Sequence, residues 1–331
     1  MSSNEVLLIH MGGLGDMCLS ESTFLSLSQH FQKNISALGY PRFFNFFQGY
    51  FKTIYSIESA KWLYLFSNNQ SETTWKRIVF IGKDRNGELR ERWQTISEER
   101  LIFIDMYPDS AFGTISEESG IEEQEVEKLR SLEIESNKHE TRNVNKFLRY
   151  APSILRGSDA TEDGCAMPHA SIHIEDYQLM QLEQYCIRPV KKEITPRPRK
   201  RVILYPEIGV TKSKWGHENF VELFHSLKKR GIEVYILESL GLDLTIQDTI
   251  SIEDLADVQT FFNAGGIFLS NDSGMAHFAG ICGLLTITIF RDFDPTIWHP
   301  RGENISLRHG IDRVDVPALE YIITQLVAHS S

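Results

Sequence analysis

Ile267-Phe268-Leu269-Ser270-Asn271-Asp272-Ser273-Gly274-Met275-Ala276-His277 is the segment that decides how this chain is read. The apolar run Ile267 to Leu269 is short and bounded by polar residues, which predicts a buried strand. Asn271 to Gly274 then makes a polar, glycine-containing turn, and the small residues from Met275 to Cys282 predict a helix. A strand that breaks into such a turn at a helix start leaves backbone N–H groups unpaired and pointing outward. Such a place receives anions, phosphate above all. Asp272 and Ser273 are favoured cap residues, and His277 falls one helical turn inward, on the face toward the mouth of the turn. Taken alone, the pattern also describes an ordinary capped helix with a packed histidine.

Two further segments repeat the motif of a strand that ends in a glycine-containing loop. Arg201-Val202-Ile203-Leu204-Tyr205 runs into a loop carrying Gly209, Thr211, Lys212, Lys214 and Trp215 before a helix over Glu218 to Arg230. This loop supplies cations where the first turn supplies N–H donors, so the pair could hold a diphosphate. Near the start, Val6-Leu7-Leu8-Ile9 leads into His10-Met11-Gly12-Gly13-Leu14-Gly15-Asp16.

Together the three resemble the glycosyltransferase family, family 9, that contains the ADP-heptose:lipopolysaccharide heptosyltransferases. The carrying residues are Leu14-Gly15-Asp16, the Lys212/Lys214/Trp215 loop, Ser270-Asn271-Asp272-Ser273-Gly274-Met275-Ala276-His277, and the later Phe290, Asp294, Pro295, Trp298 and Pro300. The likeness is good over roughly 200–300, confined to the first twenty residues in the N-terminal half, and weak between. It implies a GT-B fold, two facing Rossmann-like α/β domains with the active site in the cleft between them. One departure stands out: the family places its lysine two residues before the tryptophan, where this chain has Ser213, bracketed by Lys212 and Lys214.

The chain has 331 residues, enough for two domains of ordinary size, and a hydrophobic fraction of 41% fits a globular protein. No apolar run approaches the ~18 residues that span a bilayer, and Met1 to Glu5 lacks a basic leader, so a cytoplasmic location with at most peripheral membrane contact is expected. Cys18, Cys165, Cys186 and Cys282 are widely spaced, which predicts free thiols and neither a metal site nor a disulfide framework. A net charge of −11 argues against nucleic acid as a partner. Nine glutamates against three Lys or Arg residues lie between Gly113 and Glu140, where Glu122 to Arg130 predicts a solvated helix.

Strand-like runs at Val6–Ile9, Ile35–Leu38, Ile78–Ile81 and Leu101–Ile104 alternate with helical ones at Cys18–Phe31, Arg42–Phe51 and Asn143–Leu155. Such alternation predicts a parallel sheet flanked by helices. The aromatics between Tyr40 and Trp75 are read as core. In the second half, Val202–Tyr205, Glu233–Leu237, Ile267–Leu269 and Leu285–Phe290 read as strands, and Ile252–Asn263, capped by Ser251, as a helix. Val316 to Ala328 is an amphipathic helix. The expected division is an acceptor-side domain over 1–170, a linker over 171–200 that ends in the proline-rich, basic stretch Pro189 to Arg201, a nucleotide-sugar domain over 201–315, and a terminal helix over 316–331. The resemblance implies that this helix packs back onto the first domain.

The resemblance also assigns roles. Asp16 becomes the base that deprotonates the acceptor hydroxyl in an inverting transfer; Asp is equally a favoured cap for the following helix. Lys212 or Lys214, Ser273, Gly274 and His277 meet the diphosphate, and Asp272 contacts sugar hydroxyls. From its place just past the Glu233–Leu237 strand, Glu238 either holds the ribose or faces solvent. His10, Gly13 and Gly15 line the acceptor cleft. No metal and no cofactor are expected beyond a nucleotide-diphospho-sugar co-substrate, ADP-linked by resemblance, with a glycan or lipid-linked glycan as acceptor. Two other classes remain: a nucleotide-sugar-binding relative without catalysis, and a dinucleotide-binding oxidoreductase. The second is the poorer fit, because Cys18 stands where a third glycine belongs.

Overall fold

The computed structural model describes residues 2–67, 74–108, 172–206, 215–238, 249–251 and 254–329. The helix expected in the glutamate-rich stretch, that at 143–155, and both Lys212 and Lys214 lie outside the described residues.

Two parallel sheets carry the fold. The first contains β1 (Ser2–His10), β2 (Ile35–Gly39), β3 (Ile54–Ser56), β4 (Thr74–Gly82) and β5 (Ile102–Asp105), in the order β3-β2-β1-β4-β5. The second contains β6 (Arg201–Tyr205), β7 (Glu233–Glu238), β8 (Thr249–Ser251), β9 (Ile267–Asn271), β10 (Leu285–Phe290) and β11 (Asn304–Arg308), in the order β11-β10-β9-β6-β7-β8. Both are doubly wound. The strand order reverses between β1 and β4 in one sheet and between β6 and β9 in the other, so a ligand crevice is expected outside the carboxyl ends of those strands. The central strands are buried along their length, β2, β9 and β10 at every residue, as expected of strands covered on both faces.

The helices that bear on the site are α1 (Leu14–Leu19), α2 (Glu21–His30), α3 (Pro41–Phe44), α4 (Glu88–Gln94), α5 (Ile174–Leu182), α6 (His217–Lys229), α7 (Leu255–Phe262), α8 (Gly274–Ile281), α9 (Pro295–Trp298) and α10 (Val316–Ala328). The helix expected over Cys18–Phe31 is two helices that meet at the buried Ser20, whose N–H closes α1 on Asp16 O at 3.0 Å. The cap of α7 is Asp254, which accepts the Ala256 N–H at 2.9 Å; Ser251 pairs in β8 instead. The aromatics Phe44, Phe47, Phe51, Trp62 and Trp75 are buried, as read from the sequence.

The stretch 171–200 is not a free linker. Residues 174–182 form α5, docked on α2 and β5. Its inner face mixes Ile174, Leu179 and Leu182 with two polar residues: the Ser22 hydroxyl donates to Glu175, and Thr23 donates to Gln178 at 3.1 Å. The chain then lies along the first domain, where Val190 N–H donates to Ser26 Oγ and Lys192 N–H to Ser22 Oγ, each at 2.8 Å. It crosses to the second, where Arg197 N–H donates to Gly283 O and Gly266 N–H to Pro198 O, again at 2.8 Å. The terminal helix α10 differs from expectation too. It packs on α6, and its buried Val316, Leu319, Ile323 and Leu326 join the core of the second sheet.

One apolar cluster runs through both domains. Leu8, Phe24 and Val79 around the first sheet connect with Phe262, Phe268 and Phe278 of the second, and Phe46 meets Phe278 across the interface with ring centroids 4.9 Å apart.

Candidate active site between the two sheets

β1 ends at His10, and the chain turns through Gly12 and Gly13 into α1, with Asp16 in its first turn. The turn is held from both sides. Gly12 N–H donates to His10 Nδ1 at 3.0 Å, and Gly13 N–H donates to Asp16 Oδ2 at 2.9 Å. A Cβ at Gly12 would lie 2.6 Å from both His10 Cε1 and Asp16 Cβ, so only glycine fits. Gly13 is the N-cap residue, and Asp16, expected there by its cap reading, closes the helix start from the third helical position by accepting the Gly13 N–H. Burial raises its carboxyl above the usual range, against the lowering effect of the Gly13 N–H.

His10 does not line a cleft. It is fully buried, between Phe24 and Phe44, and burial pushes its imidazole down to about 3. With Nδ1 accepting from Gly12, Nε2 carries the proton and donates to Ser20 Oγ at 3.2 Å. Its work is to shape the glycine turn.

In the second sheet β9 ends at Asn271, and Ser273 caps α8 through its Oγ, which accepts the Ala276 N–H at 3.3 Å. Asn271 has a role that its place in the motif did not disclose. Its Oδ1 accepts the Trp215 N–H at 2.9 Å and its Nδ2 donates to Trp215 O at 3.3 Å. Trp215 is thus pinned beside the start of α8. Glu238 closes β7, half-buried, at the same end of the sheet. One intervening strand, β6, separates it from β9, about 10 Å by strand spacing.

The two turns meet. A Cβ at Gly15 would lie 3.0 Å from His277 Cδ2 and 3.3 Å from Gly274 Cα, and one at Gly274 would lie 3.1 Å from the Gly15 nitrogen. Asp16, Gly15, Gly274 and His277 are therefore brought together, each at a reversal point of its own sheet. His277 is 5% exposed beneath Gly15, so it does not face an open mouth. Its Nε2 stands 3.9 Å from Asp272 Oδ1, and its buried Nδ1 has no hydrogen-bond partner among the described residues. Burial, then His299, hold the His277 imidazole down at about 3, so it is neutral. Asp272 is pushed up to about 7 by burial and by Asp292, so near neutrality it is poised between acid and carboxylate.

Sequence reading missed a second layer at this junction. His173 caps α5 with Nδ1 and through Nε2 donates to His299 O at 2.9 Å; the two imidazoles stack at 4.0 Å. Arg301 reaches from the second domain into the first. It pairs with Glu21 and Glu175, each at 2.6 Å, and donates to Cys18 O at 3.2 Å, Ser22 Oγ at 3.2 Å and Lys192 O at 2.9 Å. Only its place after Trp298 and Pro300, within the stretch already singled out, could have drawn attention to it. Among the described residues no group of three His, Cys, Asp or Glu side chains is placed to hold a metal ion. No described helix is long and apolar enough to cross a membrane.

Two doubly wound parallel sheets meeting at their reversal points define the GT-B class of fold. No protein-family model and no curated protein sequence matches the chain. Solved structures do. A family 9 glycosyl transferase from Veillonella parvula aligns with a TM-score of 0.60 at 10% identity, over 99% of this chain and 98% of the other. Heptosyltransferase WaaC of E. coli, solved with ADP, aligns at 0.59 and 10% identity over 98% and 100%. The E. coli ADP-heptose lps heptosyltransferase II aligns at 0.56 and 12% over 98% and 99%. At these identities the likeness is one of fold.

Proposed function

We propose that the chain is a glycosyltransferase that moves a sugar, heptose or a relative, from a nucleotide-diphospho-sugar to a glycan or lipid-linked glycan acceptor. The carrying observation is the contact of the Asp16 turn with the Asp272–His277 turn across the two sheets. ADP as the nucleotide follows from the sequence resemblance and agrees with the ADP bound to WaaC.

In this reading Asp16 accepts the proton of the acceptor hydroxyl as that oxygen bonds to the anomeric carbon. The bond from that carbon to the distal phosphate oxygen breaks, and the nucleoside diphosphate leaves with the electron pair. Backbone N–H groups at the start of α8 face the charge that develops on the leaving group, and Lys212 or Lys214 adds a cation. Asp272, positioned to act as donor or acceptor near neutral pH, orients the sugar hydroxyls. Attack from the face opposite the leaving group inverts the anomeric centre.

Asp16→Asn is the test. It keeps size and shape but removes the base, so transfer from ADP-heptose to a verified acceptor should fall roughly 10²–10⁴-fold. Calorimetric affinity for the donor should barely change. Wild-type kcat should decline as pH falls through the raised Asp16 range, and that limb should be absent in the variant. Near-normal turnover in Asp16→Asn would leave Asp16 as a helix cap. If UDP-sugars, GDP-sugars or NAD stabilise the fold where ADP-sugars do not, the donor assignment is wrong.

A further inference from the structure

A cavity of about 280 Å³ opens on the outer edge of the first sheet, away from the reversal points and lined by Arg90, Gln94, Glu99, Arg100, Phe103 and Tyr185 among others. Its floor is fixed. The Tyr185 hydroxyl both donates to Phe103 O and accepts from Phe103 N–H, each at 3.1 Å. Two guanidinium groups lie on those anchored rings: Arg90 Cζ is 4.5 Å from the Phe103 centroid and Arg100 Cζ is 5.1 Å from the Tyr185 centroid. Neither arginine has a carboxylate partner among the described residues, and Glu99, the one acid in the lining, pairs with Arg77. Two cations converging on one cavity with no carboxylate partner among the described residues are notable in a chain of net charge −11.

We propose that this cavity is a binding site for a small phosphate-bearing ligand, separate from the cleft. A guanidinium stacked on a ring keeps its N–H edge free, and two such edges suit the oxygens of a phosphate or phosphate monoester. Gln94 adds an amide able to donate or accept, and Phe103 and Tyr185 offer ring faces to a sugar carbon skeleton. The volume is that of a small metabolite and too small for a nucleotide sugar. The proposal is independent of the reading of the cleft.

Calorimetric titration of the full chain with inorganic phosphate and with glucose 6-phosphate tests it. Saturable binding of at least one probe is expected in the wild type. Arg90→Gln and Arg100→Gln should each weaken it about tenfold or more, and the double variant should abolish it. Arg90→Lys with Arg100→Lys should restore it in part, since the charge returns without the planar fork. ADP at a concentration that fills the cleft should leave it unchanged. Tighter binding of glucose 6-phosphate than of phosphate assigns the site to a sugar phosphate; equal affinity assigns it to the free ion. The proposal is overturned if the wild type binds neither probe, or if the folded double variant binds as the wild type does. Competition by ADP, with the two arginine variants binding as the wild type does, would place the phosphate in the cleft and likewise overturn it.

Discussion

Asp272 carries a stability cost at the turn where the two sheets meet. Its carboxyl is raised from 3.8 to about 7 in the folded chain, so the native state holds that proton more tightly than the unfolded one. The destabilisation this causes is absent below the unfolded value, grows as pH rises between the two, and is complete above about 7. Asp272→Asn should therefore raise stability by a few kcal/mol at pH 8, with a gain that shrinks toward pH 4. Chemical denaturation at several pH values reads this directly; a gain independent of pH would remove the titration from the explanation. The same substitution should impair sugar transfer, the compromise expected of a site residue. The placement of Asp272 in a turn between strand and helix was legible in the sequence, because Ile267–Leu269 and the small residues after Gly274 leave few other places for it to go. His10 was misread as a cleft residue, because a histidine beside a glycine turn looks alike whether it faces a ligand or supports the turn from beneath.

At the scale of elements, what the sequence disclosed follows from what each element buries. β1, β2, β6, β9 and β10 are short apolar runs covered on both faces, and their pattern alone reveals them. β3 has three residues and β11 alternates polar and apolar ones, so neither stands out. α5 hides for a different reason. The face it buries includes Glu175 and Gln178, matched by Ser22 and Thr23 of α2, and no continuous apolar stripe betrays such a helix. The terminal helix was visible but its partner was not, since an apolar stripe does not say which domain it faces. α5 and the turn after it also protect β5, the edge of the described first sheet. Gln181 Oε1 accepts the Asp105 N–H at 2.8 Å and its Nε2 donates to Asp105 O at 3.0 Å, while Tyr185 serves Phe103 in the same way. Gln181→Leu combined with Tyr185→Phe should release a row of strand-edge groups. The variant is expected to self-associate with rising concentration in sedimentation velocity, where the wild type does so less.

On the scale of the molecule, Arg301 ties both domains and the crossing segment to one buried point. Its side chain is 2% exposed and those of its partners Glu175 and Glu21 are 4% and 12% exposed. Arg301→Met leaves Glu21 without its cation and Glu175 with only the more exposed Lys191, 3.4 Å away, and should cost about 3–5 kcal/mol. Adding Glu21→Gln and Glu175→Gln should return much of that loss, because a neutral cluster carries no stranded charge; urea denaturation of the single and triple variants distinguishes this from lost packing. The apolar cluster that passes from Leu8 and Phe24 through Phe46 to Phe278 and Phe268 has a consequence of its own. Neither sheet can melt without exposing apolar surface of the other, so the chain should show one heat-capacity peak, with calorimetric and van't Hoff enthalpies in agreement. Two resolved peaks would mean that the shared core holds the halves together more weakly than it holds each one.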